Sequence, residues 1–302
     1  MHRRRWLFFY CLAAGSASIA ADRDYPFVAA NVAVIPESGF EFPEDRSEFR
    51  SKEYRLVAGL FAFDAGDLGL DLGADYQYTR YEYAGIDGRN RDLHRLQLPI
   101  GFGYQMGKWQ FDGFIAPGVS TSSNIMKDLG DKGSGDDLIV TASLEGTLPA
   151  APQLSWLAGL AYDRAFGEPA PYPVFGLVYQ PQDSVRFRLV FPDPEFDYSP
   201  TPRQHWSLRL MPAGHEWHVF SEELNDEFDY AVEAWRAQTT WSLIFTNRIR
   251  VDLSAGYEFN RSHTFVDDLG RPIDADAEDQ FFAAIGLRFG DAPIPYTNEV
   301  AR

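Results

Sequence analysis

The sequence predicts an all-β fold, a transmembrane antiparallel up-and-down β-barrel of about fourteen strands behind an N-terminal signal peptide. Three observations carry this. Apolar residues recur on every second position over most of the chain, most cleanly at Phe281, Ala283, Ile285, Leu287 and Phe289 of the final strand. Tight turns and longer polar connections take alternate places between these segments, as in a sheet that crosses a bilayer up and down. The chain also opens on Arg3, Arg4 and Arg5, an apolar run from Trp6 to Ala14 and small residues as far as Ala21, the pattern of a cleaved secretory signal.

That signal is too short to anchor in a bilayer, and Cys11 follows Tyr10 rather than a small residue, which argues against a lipoprotein cleavage site. Cleavage near Ala20 or Ala21 removes the single cysteine, so no disulfide is expected in the mature fold. It also removes three arginines and no acid, taking the net charge from −17 to −20. So acidic a chain is a poor nucleic-acid partner. Beyond residue 21 there is no apolar run of helix-spanning length, and the mean hydropathy of −0.29 fits strands with one apolar and one polar face.

The expected organisation is a signal peptide over 1–21, a barrel over 22–289 and a periplasmic tail over 290–302. Tight turns are read at 64–67, 106–108, 149–152, 180–183, 212–214 and 246–248, where Gly, Pro and Asn gather, and are expected on the periplasmic side. Longer connections, read as external, fall at 36–52, 84–91, 121–136, 164–171, 192–202, 221–228 and 261–278. A first strand over 25–35 and a last over 279–289 give fourteen. The segments at 172–179, 184–191, 204–211 and 215–220 are short, which leaves twelve as the alternative count.

Parity assigns the faces. In the third strand Leu68, Leu70, Leu72, Ala74, Tyr76 and Tyr78 oppose Gly69, Asp71, Gly73, Asp75 and Gln77. In the fourth, Leu96, Leu98 and Ile100 oppose Arg95 and Gln97, and in the thirteenth, Val251, Leu253 and Ala255 oppose Arg250, Asp252 and Ser254. The apolar sets are expected to meet lipid and the polar sets the lumen. Tyr104, Trp109, Trp156, Tyr179, Trp241 and Phe289 are placed by this reading near the short-turn end, and Tyr78, Tyr81, Tyr162, Trp206 and Phe259 near the other. Aromatic rings favour both headgroup layers.

The same parity lines the lumen with Asp71, Asp75, Arg95, Asp112, Glu145, Arg186, Arg188, Arg209, Arg236, Arg250, Asp252, Glu258 and Arg288. Such residues either line an aqueous pore and set its charge selectivity, or pair with one another and hold a narrow barrel closed. His205 and Ser207 stand two apart on one strand, a spacing at which an imidazole can take a hydroxyl proton in lipid hydrolysis. Parity turns both inward, away from lipid, so no catalytic role is assigned to them. Asp267, Asp268, Asp274, Asp276 and Glu278 crowd one connection without the glycine and ligand order of a calcium loop, so neither a metal nor a cofactor is expected.

The stretch Phe191 to Pro200 (FPDPEFDYSP), followed by Trp206 to Leu210 (WSLRL) and Gly214 to Val219 (GHEWHV), resembles a family of uncharacterised bacterial outer-membrane β-barrel proteins, over about residues 50–289. The resemblance implies a barrel in the cell outer membrane with no established activity, and it supplies no catalytic residues. The tail after Phe289 departs from barrels that stop at a terminal aromatic. The expected partners are outer-membrane lipid and lipopolysaccharide, and the barrel assembly machinery through the Phe281 to Phe289 strand, with the protein a monomer. The leading functional expectation is a pore for small solutes, and the others are a lipid-modifying hydrolase and a surface-interaction barrel.

Overall fold

The computed structural model describes residues 27–41, 46–84, 90–221, 226–266 and 272–290. The expected signal segment, nearly all of the tail, and Asp267 and Asp268 lie outside them. Fourteen antiparallel strands close into a single barrel, the first pairing with the last, as in Val28 with Phe289 and Val32 with Ile285. They are β1 (Phe27–Glu41), β2 (Arg46–Ala65), β3 (Leu68–Ala84), β4 (Arg91–Gln97 and Ile100–Met106), β5 (Trp109–Ser122), β6 (Leu138–Ala151) and β7 (Leu154–Asp163). Then follow β8 (Ala170–Gln182), β9 (Val185–Phe191), β10 (Glu195–Thr201), β11 (Gln204–Pro212 and His215–Ser221), β12 (Asp226–Thr246), β13 (Ile249–Val266) and β14 (Pro272–Ala277 and Gln280–Gly290). The β5–β6 connection carries two single-turn helices, α1 (Ser123–Met126) and α2 (Leu129–Lys132).

Side-chain alternation follows the sequence pattern. Along β3 the outward positions from Leu68 to Tyr78 are exposed or half-buried, and the inward ones from Gly69 to Thr79 are buried. Leu56, Leu98, Ile115, Leu144, Leu160, Leu208, Ile285 and Phe281, from seven strands, all stand exposed on the outer wall. A soluble monomer does not carry an apolar belt of that extent, so the wall faces lipid. No helix of the described residues is long and apolar enough to cross a membrane, and the crossing elements are the strands.

The total of fourteen agrees with the sequence expectation, but two of its parts are corrected. The expected external connection 192–202 contains a strand, β10, which pairs with β9 and β11. Tight turns therefore fall at 191–195 and 201–204. The expected turn at 212–214 is no turn. β11 runs on through it beside β12, with Pro212 opposite Trp235, the Ala213 N–H donating to the Ala234 carbonyl at 2.8 Å, and His215 opposite Val232. One strand too few and one too many cancel. The correction reverses the direction of residues 204–211, so Trp206 lies at the short-turn end, where it stacks on Trp241 at 5.5 Å. Tyr81 is also reassigned, from a headgroup layer to the buried interior. The first hairpin and the last two strands extend well past their expected ends, with Ser38 paired to Phe49 and His263 to Ala275.

The break in β11 gives the barrel two tiers. Pro212 has no N–H, and Gly214 lies so close to the β7–β8 connection that a Cβ there would stand 2.3 Å from the Gly167 nitrogen. The Gly214 N–H donates to the Ala165 carbonyl at 2.7 Å. Above this point β11 leans across to β5, on the far side of the short strands β6–β10, and pairs with it in parallel at His218 and Thr121. Hydroxyls fasten the seam: Ser120 Oγ donates to the Glu216 carbonyl at 2.6 Å and Thr121 Oγ1 to that of His218 at 3.1 Å. All fourteen strands enclose the lower tier, and β1–β5 with β11–β14 enclose the narrower upper one.

The lipid-facing register is tested at Leu253, which stands 40% exposed between the inward Asp252 and Ser254. Leu253→Arg is expected to lower the unfolding free energy in lipid by about 2–4 kcal/mol, the cost of a cation on the lipid face near the midplane. Equilibrium unfolding in vesicles measures it, and a change indistinguishable from zero would move the assigned register by one residue.

Candidate functional site

The inward positions of the upper tier form an aromatic layer. Phe49, Tyr81, Leu93, Trp217, Val219, Phe228, Tyr230 and Val232 come from β2, β3, β4, β11 and β12 and meet in one buried cluster with Ala275 and Ala277 of β14. Tyr81 lies 6.3 Å from Trp217 and 5.7 Å from Tyr230, ring centre to ring centre. The Tyr230 hydroxyl touches that of Tyr83 and lies 2.7 Å from His263 Nδ1. Every ring belongs to the wall itself, so the barrel is shut at this level by its own side chains.

Beneath that layer the interior is ionic. Arg236 donates through Nε to Glu258 Oε1 at 2.8 Å and through Nη2 to Glu53 Oε1 at 3.2 Å, with its guanidinium 4.6 Å from the Phe282 ring centre. Arg261 lies 3.4 Å from Glu258 and over the Phe49 ring, joining the ionic layer to the aromatic one. Arg55 grips Asp75 with two bonds, at 2.9 and 2.6 Å. Arg95 donates to Gln77 at 2.7 Å and sits 3.1 Å from His215 Nδ1. Two small cavities of about 40 and 20 Å³ share Arg55 in their walls.

A second group lies against β8–β11. Arg188 approaches Glu145 to 3.6 Å and donates to the Asp193 carbonyl at 3.0 Å, while Arg209 pairs with the Asp193 carboxylate. Arg186 lies 3.9 Å from Asp197. Elsewhere on the inner face Arg250 donates to Asp252 at 2.7 Å, Gln110 to Asp112 at 2.7 Å, Asp71 packs over Gly101, and Arg288 lies over the Phe27 ring. Buried ion pairs of this kind place one charge opposite another where water is scarce, and removing one partner strands the other.

The structure pairs several of the thirteen positions that sequence parity assigned to the interior with one another, as Arg188 with Glu145, Arg236 with Glu258 and Arg250 with Asp252, and others with partners that parity did not single out. Glu53 and Arg55 carried a signal, since they alternate with outward Tyr54 and Leu56. Asp193 and Asp197 carried none while their segment read as a loop.

His205 and Ser207 are both buried and inward. His205 Nδ1 lies 3.0 Å from Ser199 Oγ and Nε2 lies 3.1 Å from Asp197 Oδ1. A serine, an imidazole and a carboxylate thus touch in sequence, yet all three are more than nine-tenths buried inside the wall, away from the lipid that a membrane hydrolase attacks. Their contact ties β10 to β11. Among the described residues no three His, Cys, Asp or Glu side chains are gathered as a metal site.

A family described as a domain of unknown function, DUF6268, matches residues 107–288, more than half of the chain. No curated protein matches. Among solved structures, the COG4313 outer membrane channel from Pseudomonas putida F1 aligns over 89% of this chain and 97% of its own, at 7% identity and a TM-score of 0.50, a likeness of fold. The P. putida toluene transporter TodX aligns over 89% and 91% at 10% identity, with a TM-score of 0.40. The KdgM porin aligns over 87% and 98% at 6%, with a TM-score of 0.38.

The ionic layer is tested at Glu258, which faces both Arg236 and Arg261. Glu258→Gln is expected to destabilise the folded barrel by about 3 kcal/mol, because two buried guanidinium groups lose an anion. Glu82→Gln, which breaks the half-exposed pair with Arg50, is expected to cost less than about 1 kcal/mol. Equal effects in a denaturant titration would contradict the layer's role.

Proposed function

The chain belongs to the DUF6268 family of domains of unknown function, and from that premise we propose that it is an outer-membrane channel of narrow bore for small polar solutes, held shut in this conformation by its aromatic layer. One observation carries the reading. The lower lumen is lined by charged side chains around two small cavities of about 40 and 20 Å³, the kind of lining that a hydrated path below the rings needs. Among the described residues it is side chains that stand across the lumen above, and rotamers of Trp217, Tyr81 and Tyr230 can move without breaking the backbone ladder. The channel-type fold of the P. putida protein supports the same reading.

On this account the protein works as a monomer, with outer-membrane lipid and lipopolysaccharide around the belt and the assembly machinery reading the Phe281 to Phe289 strand. The short turns face the periplasm. The ion pairs of the interior favour a second reading, a closed structural barrel that holds its shape through paired charges. Conductance separates the two. In planar bilayers the native protein is expected to open rarely, and Trp217→Ala with Tyr230→Ala to raise the open time or the unitary conductance. Silence of both proteins, with the double variant still folded, would leave the structural barrel.

A further inference from the structure

The larger interior cavity lies beside the break in β11, and its wall offers more hydrogen-bond donors than its carboxylates use. Asp75 receives two N–H groups of Arg55, at 2.9 and 2.6 Å. Asp163 accepts from the Ala165 N–H at 2.8 Å and the Tyr172 hydroxyl at 2.7 Å. Glu216 accepts from Arg164 Nε at 2.9 Å. Each carboxylate of the cavity wall therefore holds a donor already.

Three donors remain without a partner: Arg95 Nε, Arg164 Nη1 and His215 Nε2. Because His215 Nδ1 faces a guanidinium N–H of Arg95, it must accept, so the ring is neutral and carries its proton on Nε2. His215 is 8% exposed. Arg95 has Gln77 and His215 as its hydrogen-bond partners and forms no ion pair among the described residues. A guanidinium whose hydrogen-bond partners are both neutral, with Asp75 and Asp163 acting on it only from beyond ion-pair distance and two further unused donors beside it, is the complement of an anion.

We propose that this cavity is a binding site for a small inorganic anion of halide size, held by Arg95, Arg164 and His215. Water satisfies the site less well, since a neutral acceptor brings no charge to Arg95, which has no carboxylate at ion-pair distance among the described residues. The volume, about 40 Å³, holds roughly two or three water-sized bodies, which excludes phosphate esters and organic acids. The three donors come from β4, β11 and the β7–β8 connection, so a bound anion fastens the lower tier to the point where β11 turns inward. This requires no passage of solute and stands apart from the channel reading.

The probe is bromide. Crystals of the full-length barrel grown in sodium bromide should show an anomalous peak within hydrogen-bond distance of Arg95 and His215. In detergent, the unfolding midpoint of the native protein should rise with bromide at constant sodium, against gluconate, which is too large for the cavity. Arg95→Gln should weaken the apparent bromide affinity by about tenfold or more, the loss of one charge-assisted bond. If that variant does not fold, the crystals of the native protein decide. Water alone in the cavity at saturating bromide, bromide only at exposed arginines, or equal responses to bromide and gluconate would overturn the site.

Discussion

A side chain at position 214 would collide with the backbone of the β7–β8 connection, at 2.3 Å from one nitrogen and 2.6 Å from the Ala165 carbonyl oxygen. Glycine there lets two stretches of main chain touch, and Pro212 beside it has no N–H to lose from the ladder. β11 can therefore leave its β10 neighbour and cross to β5, while the unbroken 21-residue β12 keeps it in register below and above. From that one contact follow the short strands β6–β10, the Ser120 to Ser122 seam and an upper tier narrow enough for opposite walls to touch.

Narrowing decides what the interior can contain. Where opposite walls meet, aromatic rings fill the space and exclude water, and the Tyr230 hydroxyl sits between the Tyr83 hydroxyl and His263 Nδ1 within the cluster. Where the barrel is wider, charges face charges, and Arg261 belongs to both environments, stacked on Phe49 and paired with Glu258. The hydrophobic residues that an ordinary domain would bury are turned outward here, because the bilayer replaces the core as their solvent. What specifies the interior is pairing, and pairing is less forgiving of single substitutions than lipid contact is.

The fold was legible wherever one face of a strand met lipid. In β3, β4 and β13 each step of alternation separates hydrocarbon from a polar interior, so parity assigns side and register together. It failed beyond the bilayer, where the outward face is polar, as at Asp274 and Asp276, and the inward one carries the apolar cluster with Ala275 and Ala277. Residues 36–41 and 272–277 read as loops yet pair as strands. It also failed around Phe191 to Gly214, where Pro192, Pro194, Pro200 and Pro202 imitate a loop around the seven-residue β10, and Pro212 with Gly214 imitates a turn inside a continuous strand. The interior charges were individually visible, but their partners depend on which strands stand across the barrel. No local pattern records that distance, and none signalled the parallel contact between β5 and β11.

The central claim is that β11 crosses the interior to reach β5. Magic-angle-spinning NMR of the labelled protein in lipid tests it directly, through a cross-peak between the Thr121 side chain and the His218 carbonyl carbon. The account predicts that cross-peak, together with one between Ser120 and Glu216. Contacts from Thr121 to its β4 neighbour His94 alone, with none to β11, would mean that the upper barrel is as wide as the lower, and would contradict it.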